Sequence, residues 1–318
     1  MAFRFTLLLA ISAAARCWGK LTWGETKFLF TFGDSYTTDG FNISAGVDSP
    51  VPNFVGKLVL DPVSMFVAED NPGKLSSGIG GRYNVTNTKV FDLASGGATI
   101  DAALVPPFLP TVLSIVDQVN QFNEILAPKP QGALWNSSDS LFAFWIGIND
   151  VGNSFPWTNI TQVDFYHTLM DRLTTQIESL YVSGARSFLF LTVPPVDRSP
   201  LFLQQGTDVA GRLKDLIAAY NGDLDDTVKA FQQRHDDLDQ VIVFDTQPVF
   251  NILLDNADAL GFVNATGYCE AYENGTPGLT TQVEGCAPVS SYFWLNSLHP
   301  LFTVHDILAH ALSTTLSM

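Results

Sequence analysis

Five short apolar runs rich in β-forming residues recur along the chain: Lys27 to Phe32, Thr88 to Ala94, Leu141 to Ile146, Arg186 to Val193 and Val241 to Asp245. Their apolar residues are continuous rather than alternating, the pattern of strands covered on both faces. Between the third and fourth runs, Val163, Tyr166, Leu169, Leu173, Ile177 and Leu180 repeat at three- and four-residue spacing, and Gly184 follows as a stop signal. Val209, Leu213, Leu216, Ile217, Tyr220, Leu224, Val228 and Phe231 do the same before the fifth run, and Ile115 to Leu126 offers a helix before the third. Alternating strands and helices predict a three-layer α/β/α domain around a five-stranded parallel sheet. A length of 318 residues with 46% hydrophobic and 15% charged side chains is enough for one large core. No repeat or linker divides residues 20–318, and the Pro/Gly-rich stretches at 48–84 and 264–288 read as excursions from it.

Ligands of open parallel sheets sit beyond the carboxyl ends of the strands, so the residues just after each run carry the functional expectation. The first run enters Gly33-Asp34-Ser35-Tyr36, which puts a serine hydroxyl on a tight turn. Ser95-Gly96-Gly97-Ala98-Thr99 follows the second, and Gly147-Ile148-Asn149-Asp150 follows the third. The last loop adds Asn296-Ser-Leu-His299-Pro300. A hydroxyl, an imidazole, a flexible backbone donor and a carboxamide are the components of serine-dependent acyl transfer. His305 and His310, five residues apart, lack helical ligand spacing, so no metal site is expected. Phe108, Trp145, Trp157, Phe202 and Trp294 are candidates for a sugar or acyl platform, with a place in the core as the alternative for each.

The charge balance narrows the partner. With 16 basic and 32 acidic residues the net charge is −16, the wrong sign for a nucleic acid backbone and repulsive to anionic lipid surfaces. A neutral sugar or an uncharged ester is not repelled. Residues 1–19 have the charged, apolar and small-residue parts of a secretory signal, with cleavage expected after Ala15 or Gly19. The second choice removes Arg4 and Arg16 and carries the net charge from −16 to −18. The apolar run of that segment is shorter than the roughly 20 residues a bilayer span requires, and no later stretch reaches that length, so a secreted protein without stable membrane insertion is expected. Cys17 lies beside the cleavage site, leaving Cys269 and Cys286 as a pair; one disulfide is expected, with two free thiols as the alternative. Six Asn-x-Ser/Thr sequons begin at Asn42, Asn84, Asn136, Asn159, Asn264 and Asn274, and each is a glycosylation candidate consistent with secretion.

Four blocks in this order resemble the SGNH hydrolases, also called GDSL esterases and lipases, over residues 29–310. Through Phe32-Gly-Asp-Ser-Tyr-Thr-Thr-Asp-Gly-Phe-Asn42, Gly96-Gly-Ala-Thr-Ile-Asp101 and Trp294-Leu-Asn-Ser-Leu-His-Pro300 the chain is most similar to fungal acetylesterases of carbohydrate esterase family sixteen. The resemblance implies a flavodoxin-like sheet and ester hydrolysis by a monomer, on a small-molecule or oligosaccharide ester, with neither metal nor organic cofactor. It implies that Ser35 is the nucleophile and His299 the general base. It also implies that the backbone N–H groups of Ser35 and Gly97, with the Asn149 amide, form the oxyanion hole. Asp34 and Asp150 take supporting roles.

Two departures stand out. The family usually has an Asp three residues before the catalytic His, and this chain has Asn296, which can orient an imidazole but cannot ionise. A Ser-His dyad held by Asn296 or by a carbonyl, or a triad completed by another acid such as Asp306, are both open on the sequence. The family's Asn-Gly-Pro-x-Trp stretch is also absent, and residues 54–80 read as an atypical insert, either a lineage-specific loop or translated intron sequence. The resulting expectation is a secreted acetylesterase acting on plant cell-wall oligosaccharides. A lipase or phospholipase for longer acyl chains and a catalytically weak carbohydrate-binding homologue are the rival readings.

Overall fold

The computed structural model describes residues 21–49 and 88–318. The signal segment, Cys17, the insert at 54–80 and Asn84 lie outside the described residues. The five apolar runs form β1 (Phe28–Gly33), β2 (Lys89–Asp92), β3 (Ser140–Trp145), β4 (Ser187–Leu191) and β5 (Gln240–Phe244). All neighbouring pairs are parallel, in the order β2-β1-β3-β4-β5.

Aromatic side chains mark the register. Phe30 lies opposite Phe91 and Phe142, and Phe142 opposite Phe188, so their rings pack in a row across four strands. Phe30 and Phe142 stack at 4.8 Å between centroids, as do Phe32 and Phe144 one step further along. Such contacts add to the free energy of simple burial and disfavour a one-residue slip, which would turn every ring to the opposite face.

The connections are helical: α1 (Ile115–Gln121), α2 (Ile148–Ser154), α3 (Gln162–Val182), α4 (Pro200–Leu203), α5 (Thr207–Arg234), α6 (Gln247–Asp255) and α7 (Phe302–Leu316). Helices α3 and α5 bury the residues that the spacing selected: Tyr166, Leu169, Leu173, Ile177 and Leu180 on one, Leu213, Ile217, Tyr220, Leu224, Val228 and Phe231 on the other. They pack on each other, α1 packs on α3, and α6 on α7. The helix expected over Ile115 to Leu126 is α-helical only to Gln121, because Phe122–Leu126 widens into a π-turn closed by the Ala127 N–H on the Phe122 carbonyl at 2.8 Å.

The chain is thus an α/β protein with a parallel five-stranded sheet and flanking helices. Strand β1 lies between β2 and β3, so successive crossovers leave it in opposite directions. This opens a crevice beyond its carboxyl end. The loops after β1, β2 and β3 meet there.

Candidate active site

Ser35 follows directly from β1 on a turn closed by the Thr37 and Thr38 N–H groups on the Asp34 carbonyl, at 3.1 and 3.0 Å. The Asp34 side chain is buried and accepts the Tyr36 N–H at 2.9 Å, which fixes the backbone on either side of the serine. Gln118 of α1 holds the approach: its amide accepts the Gly33 N–H and donates to the Gly33 carbonyl, both at 2.9 Å. Gln118 is a fully buried polar residue on the apolar stripe of its helix. Its place beside Ile115 and Val119 on that stripe is the sequence signal for such a role.

The loop after β2 brings Gly96, the residue before Gly97, beside Ser35. The space where a side chain of Gly96 would begin lies 3.9 Å from Ser35 Cβ. Gly97 has φ +84°, and a Cβ there would collide with the Phe108 ring, so both backbone and space call for glycine. After β3, Gly147 at φ +122° turns the chain into α2, where a Cβ would collide with the Tyr220 ring. Asn149 in the first turn of α2 donates one amide N–H to the Ala98 carbonyl at 2.9 Å and keeps a second for another acceptor. Its neighbour Asp150 is buried and accepts the Ile100 N–H at 3.0 Å, tying the third strand's loop to the second's. Among the described residues neither the Ser35 nor the Gly97 N–H finds a protein acceptor. Three N–H donors, on Ser35, Gly97 and Asn149, are therefore left without a protein acceptor among the described residues.

Burial pushes the carboxyl groups of Asp34 and Asp150 up to about 7, since withdrawal from water outweighs the backbone N–H groups that favour their charged forms. Both are enclosed scaffolding groups.

The imidazole arrives from a loop rather than from the sheet. Residues 293–301 fold back on themselves through the Leu295 N–H on the His299 carbonyl at 2.8 Å and the Leu301 N–H on the Phe293 carbonyl at 2.7 Å. His299 Nε2 lies 2.8 Å from Ser35 Oγ. Its Nδ1 lies 3.0 Å from Asn296 Oδ1, the same oxygen that accepts the Leu298 and His299 N–H groups at 3.0 and 2.9 Å. Two backbone donors identify that atom as the amide oxygen, an acceptor only. Nδ1 must then carry the hydrogen and Nε2 is bare, the tautomer able to take a proton from Ser35. Asn296, rather than Asp306, is the group set against Nδ1. Withdrawal of the ring from water lowers the imidazole to about 4, so it stays neutral in mildly acidic solution.

Tyr36 joins the two halves of the site. It is adjacent to Ser35 in sequence, and its hydroxyl donates to the carbonyl of Leu298, next to His299, at 2.5 Å. Its ring lies 5.5 Å from the His299 ring and 5.4 Å from Trp145. His305 is buried behind it, 6.1 Å between ring centroids. Tyr36 is buried, and its contact with Leu298, far away in sequence, is what gives it a role at the site.

Cys269 and Cys286 form a disulfide in the loop that leads to His299. Asn42, Asn136, Asn159, Asn264 and Asn274 are all exposed. Of the platform candidates, Trp145, Trp294 and Phe202 are buried core residues and Trp157 packs on Phe165, which corrects the wider expectation; Phe108 alone of the five is exposed. Among the described residues, no group of three or more His, Cys, Asp or Glu side chains is placed to hold a metal ion. Nor is any helix there long and apolar enough to cross a membrane.

A serine and spare N–H donors beyond the carboxyl edge of a parallel α/β sheet, with an imidazole brought up by a loop, are the parts of serine-dependent acyl transfer. The GDSL-like Lipase/Acylhydrolase family model matches residues 29–312, and the chain belongs to that family. It is 33% identical to an acetylesterase from Thermothelomyces thermophilus over 91% of this chain and 88% of that one. It is 27% identical to a GDSL esterase/lipase from Arabidopsis thaliana over 70% of this chain and 67% of that one. Among solved structures, a catalytic mutant of an acetylxylan esterase from Geobacillus stearothermophilus aligns with a TM-score of 0.48 at 14% identity, covering 92% of this chain and 94% of that one.

Proposed function

We propose that the protein is a secreted acetylesterase that removes acetyl groups from neutral plant cell-wall oligosaccharides through a covalent acyl-enzyme. The observation that carries this reading is the hydrogen-bonded series Ser35 Oγ, His299 Nε2, His299 Nδ1 and Asn296 Oδ1, with separations of 2.8 and 3.0 Å on the two sides of the ring. In the first step Ser35 Oγ attacks the ester carbonyl carbon as its proton passes to Nε2, and the carbonyl oxygen becomes an oxyanion. The Ser35 and Gly97 N–H groups and the free Asn149 N–H stabilise that charge. The tetrahedral intermediate collapses, the C–O bond to the sugar breaks, and His299 returns the proton to the departing alkoxide. Water then repeats the sequence on the acetyl-serine and releases acetate and the free hydroxyl of Ser35. Asn296 fixes the tautomer and orientation of the imidazole without adding charge, so the account is a Ser-His dyad with a neutral orienting amide.

Acetate specificity is favoured by the identity to the fungal acetylesterase across nearly the whole of both chains. Secretion is favoured by the N-terminal segment, the disulfide and the five exposed sequons. The test is a series of 4-nitrophenyl esters from acetate to octanoate, with acetate release from an acetylated xylo-oligosaccharide measured alongside. A maximum at acetate and release from the oligosaccharide are expected. A rate that climbs toward octanoate contradicts the acetylesterase reading and favours a lipase.

A further inference from the structure

Phe108 is a large apolar side chain left 71% exposed within reach of the site. Its ring edge, Cε1 and Cδ1, occupies the space that a side chain on Gly97 would need, so the ring rests against a proposed oxyanion donor. The loop presenting it is stiff. Pro106, Pro107 and Pro110 surround it and fix φ at three positions. Thr99 Oγ1 donates to the Val105 carbonyl at 2.8 Å, and Leu113 N–H to Ser95 Oγ at 3.2 Å, pinning both ends of the loop to the segment that carries Gly97. Leu109, 49% exposed, extends the apolar surface.

We propose that Phe108 is the platform on which the sugar ring of the leaving alcohol packs during deacetylation. The inference rests on the acetylesterase reading. An acetyl group offers only a methyl beyond its carbonyl carbon, so an apolar surface larger than a methyl beside the oxyanion donors has the alcohol half of the ester left to contact. A pyranose presents an apolar face of C–H groups and an equatorial rim of hydroxyls. A phenyl ring, which has no hydrogen-bonding group, fits the face and not the rim. A neutral sugar also meets no repulsion from a chain of net charge −16. The rigid mounting means that little loop entropy is lost when the sugar docks. Phe108 is thus a specificity-determining residue that recognises a neutral pyranoside and takes no part in bond making.

The test compares kcat/KM for an acetylated xylobiose with kcat/KM for ethyl acetate, which has the same acyl group and no sugar. In Phe108→Ala the ratio of the two is expected to fall about tenfold, chiefly through KM for the xylobiose ester, as loss of one aromatic contact implies. Phe108→Trp is expected to keep or raise it. An unchanged ratio in Phe108→Ala overturns the platform while leaving the acetylesterase reading intact. So does a loss that instead follows acyl length, seen as a changed ratio of nitrophenyl butyrate to nitrophenyl acetate. Failure of the wild-type protein to act on the xylobiose ester, with ethyl acetate hydrolysed, refutes the oligosaccharide reading and the platform together.

Discussion

The proposed nucleophile and the proposed base are held in place by different kinds of structure. Ser35, Gly97 and Asn149 follow three adjacent parallel strands, and their backbone positions come from the strand ladders. Buried polar side chains, Asp34, Gln118 and Asp150, add fixed hydrogen bonds at the same edge. His299 and Asn296 instead sit on a loop whose ladder contacts among the described residues are two isolated bridges, Trp294 with Pro300 and Asn264 with Tyr292. Single contacts replace the sheet there: the disulfide, the Trp294 indole N–H on the Ala265 carbonyl at 2.8 Å, the Leu201 N–H on the Ser297 carbonyl at 2.8 Å, and the Tyr36 hydroxyl on the Leu298 carbonyl. A small apolar cluster of Tyr272, Val289, Leu295 and Leu301 underlies this loop. Hydrogen bonds to the sheet are made cooperatively across many residues, whereas each loop contact can be removed alone. Damage on the sheet side should therefore remove chemistry, and damage on the loop side should misplace the base.

The largest effect is expected on the sheet side. Asn149→Ala removes one oxyanion donor and should lower kcat by about 10²- to 10³-fold with KM little changed, as steady-state kinetics would show. Comparable loss in KM alone would remove Asn149 from the oxyanion hole. On the loop side, the double change Cys269→Ser and Cys286→Ser opens a link between residues 17 apart in sequence and should cost about 3 kcal/mol in the chain-entropy model. Activity should then be lost on heating before the circular dichroism of the helices and sheet changes. Coincident loss of both would mean that the loop is no more independent than the strands.

A smaller effect is expected where the halves meet. Tyr36→Phe keeps the ring and removes the hydroxyl, leaving the Leu298 carbonyl without its donor; about a tenfold lower kcat at unchanged KM is expected. A variant with wild-type kcat would show that the loop is positioned without this brace. The smallest change at neutral pH is expected for Asn296→Asp. Only neutral His299 acts as a base, and its value of about 4 places the acid limb of the wild-type kcat/KM profile near that pH. A carboxylate in place of the amide stabilises the imidazolium, so the limb should move upward by at least about one unit. The variant would lose activity in mildly acidic solution where the wild type keeps it. A limb that stays near 4 would separate Asn296 from the tuning of His299.

The same contrast explains what could be read from sequence. Strand positions were legible because continuous apolar runs are local, and β1 differs by one residue at each end from the run Lys27 to Phe32. Helices α3 and α5 were legible from their long periodic faces, while the π-turn after Gln121 was not, since apolar spacing alone does not distinguish it from a further α-turn. Ser35, Asn149 and His299 stood out because reactive groups lie just beyond strands or in a loop with the right companions, while Gly97 was singled out within its block only by the family resemblance. Tyr36 is different. Its brace spans 262 residues of sequence, and a tyrosine after an apolar strand carries no mark of a partner that distant. Phe108 likewise shared its letter class with residues that proved buried, and only packing separated it from them.

The central claim is that Ser35 is a nucleophile activated by neutral His299. Labelling with a fluorophosphonate, followed by intact mass and peptide analysis, tests it most directly. The wild-type protein is expected to gain one adduct, on the peptide containing Ser35; Ser35→Ala should gain none, and His299→Ala should react far more slowly. An unlabelled wild-type protein, or an adduct that persists in Ser35→Ala, would contradict the account.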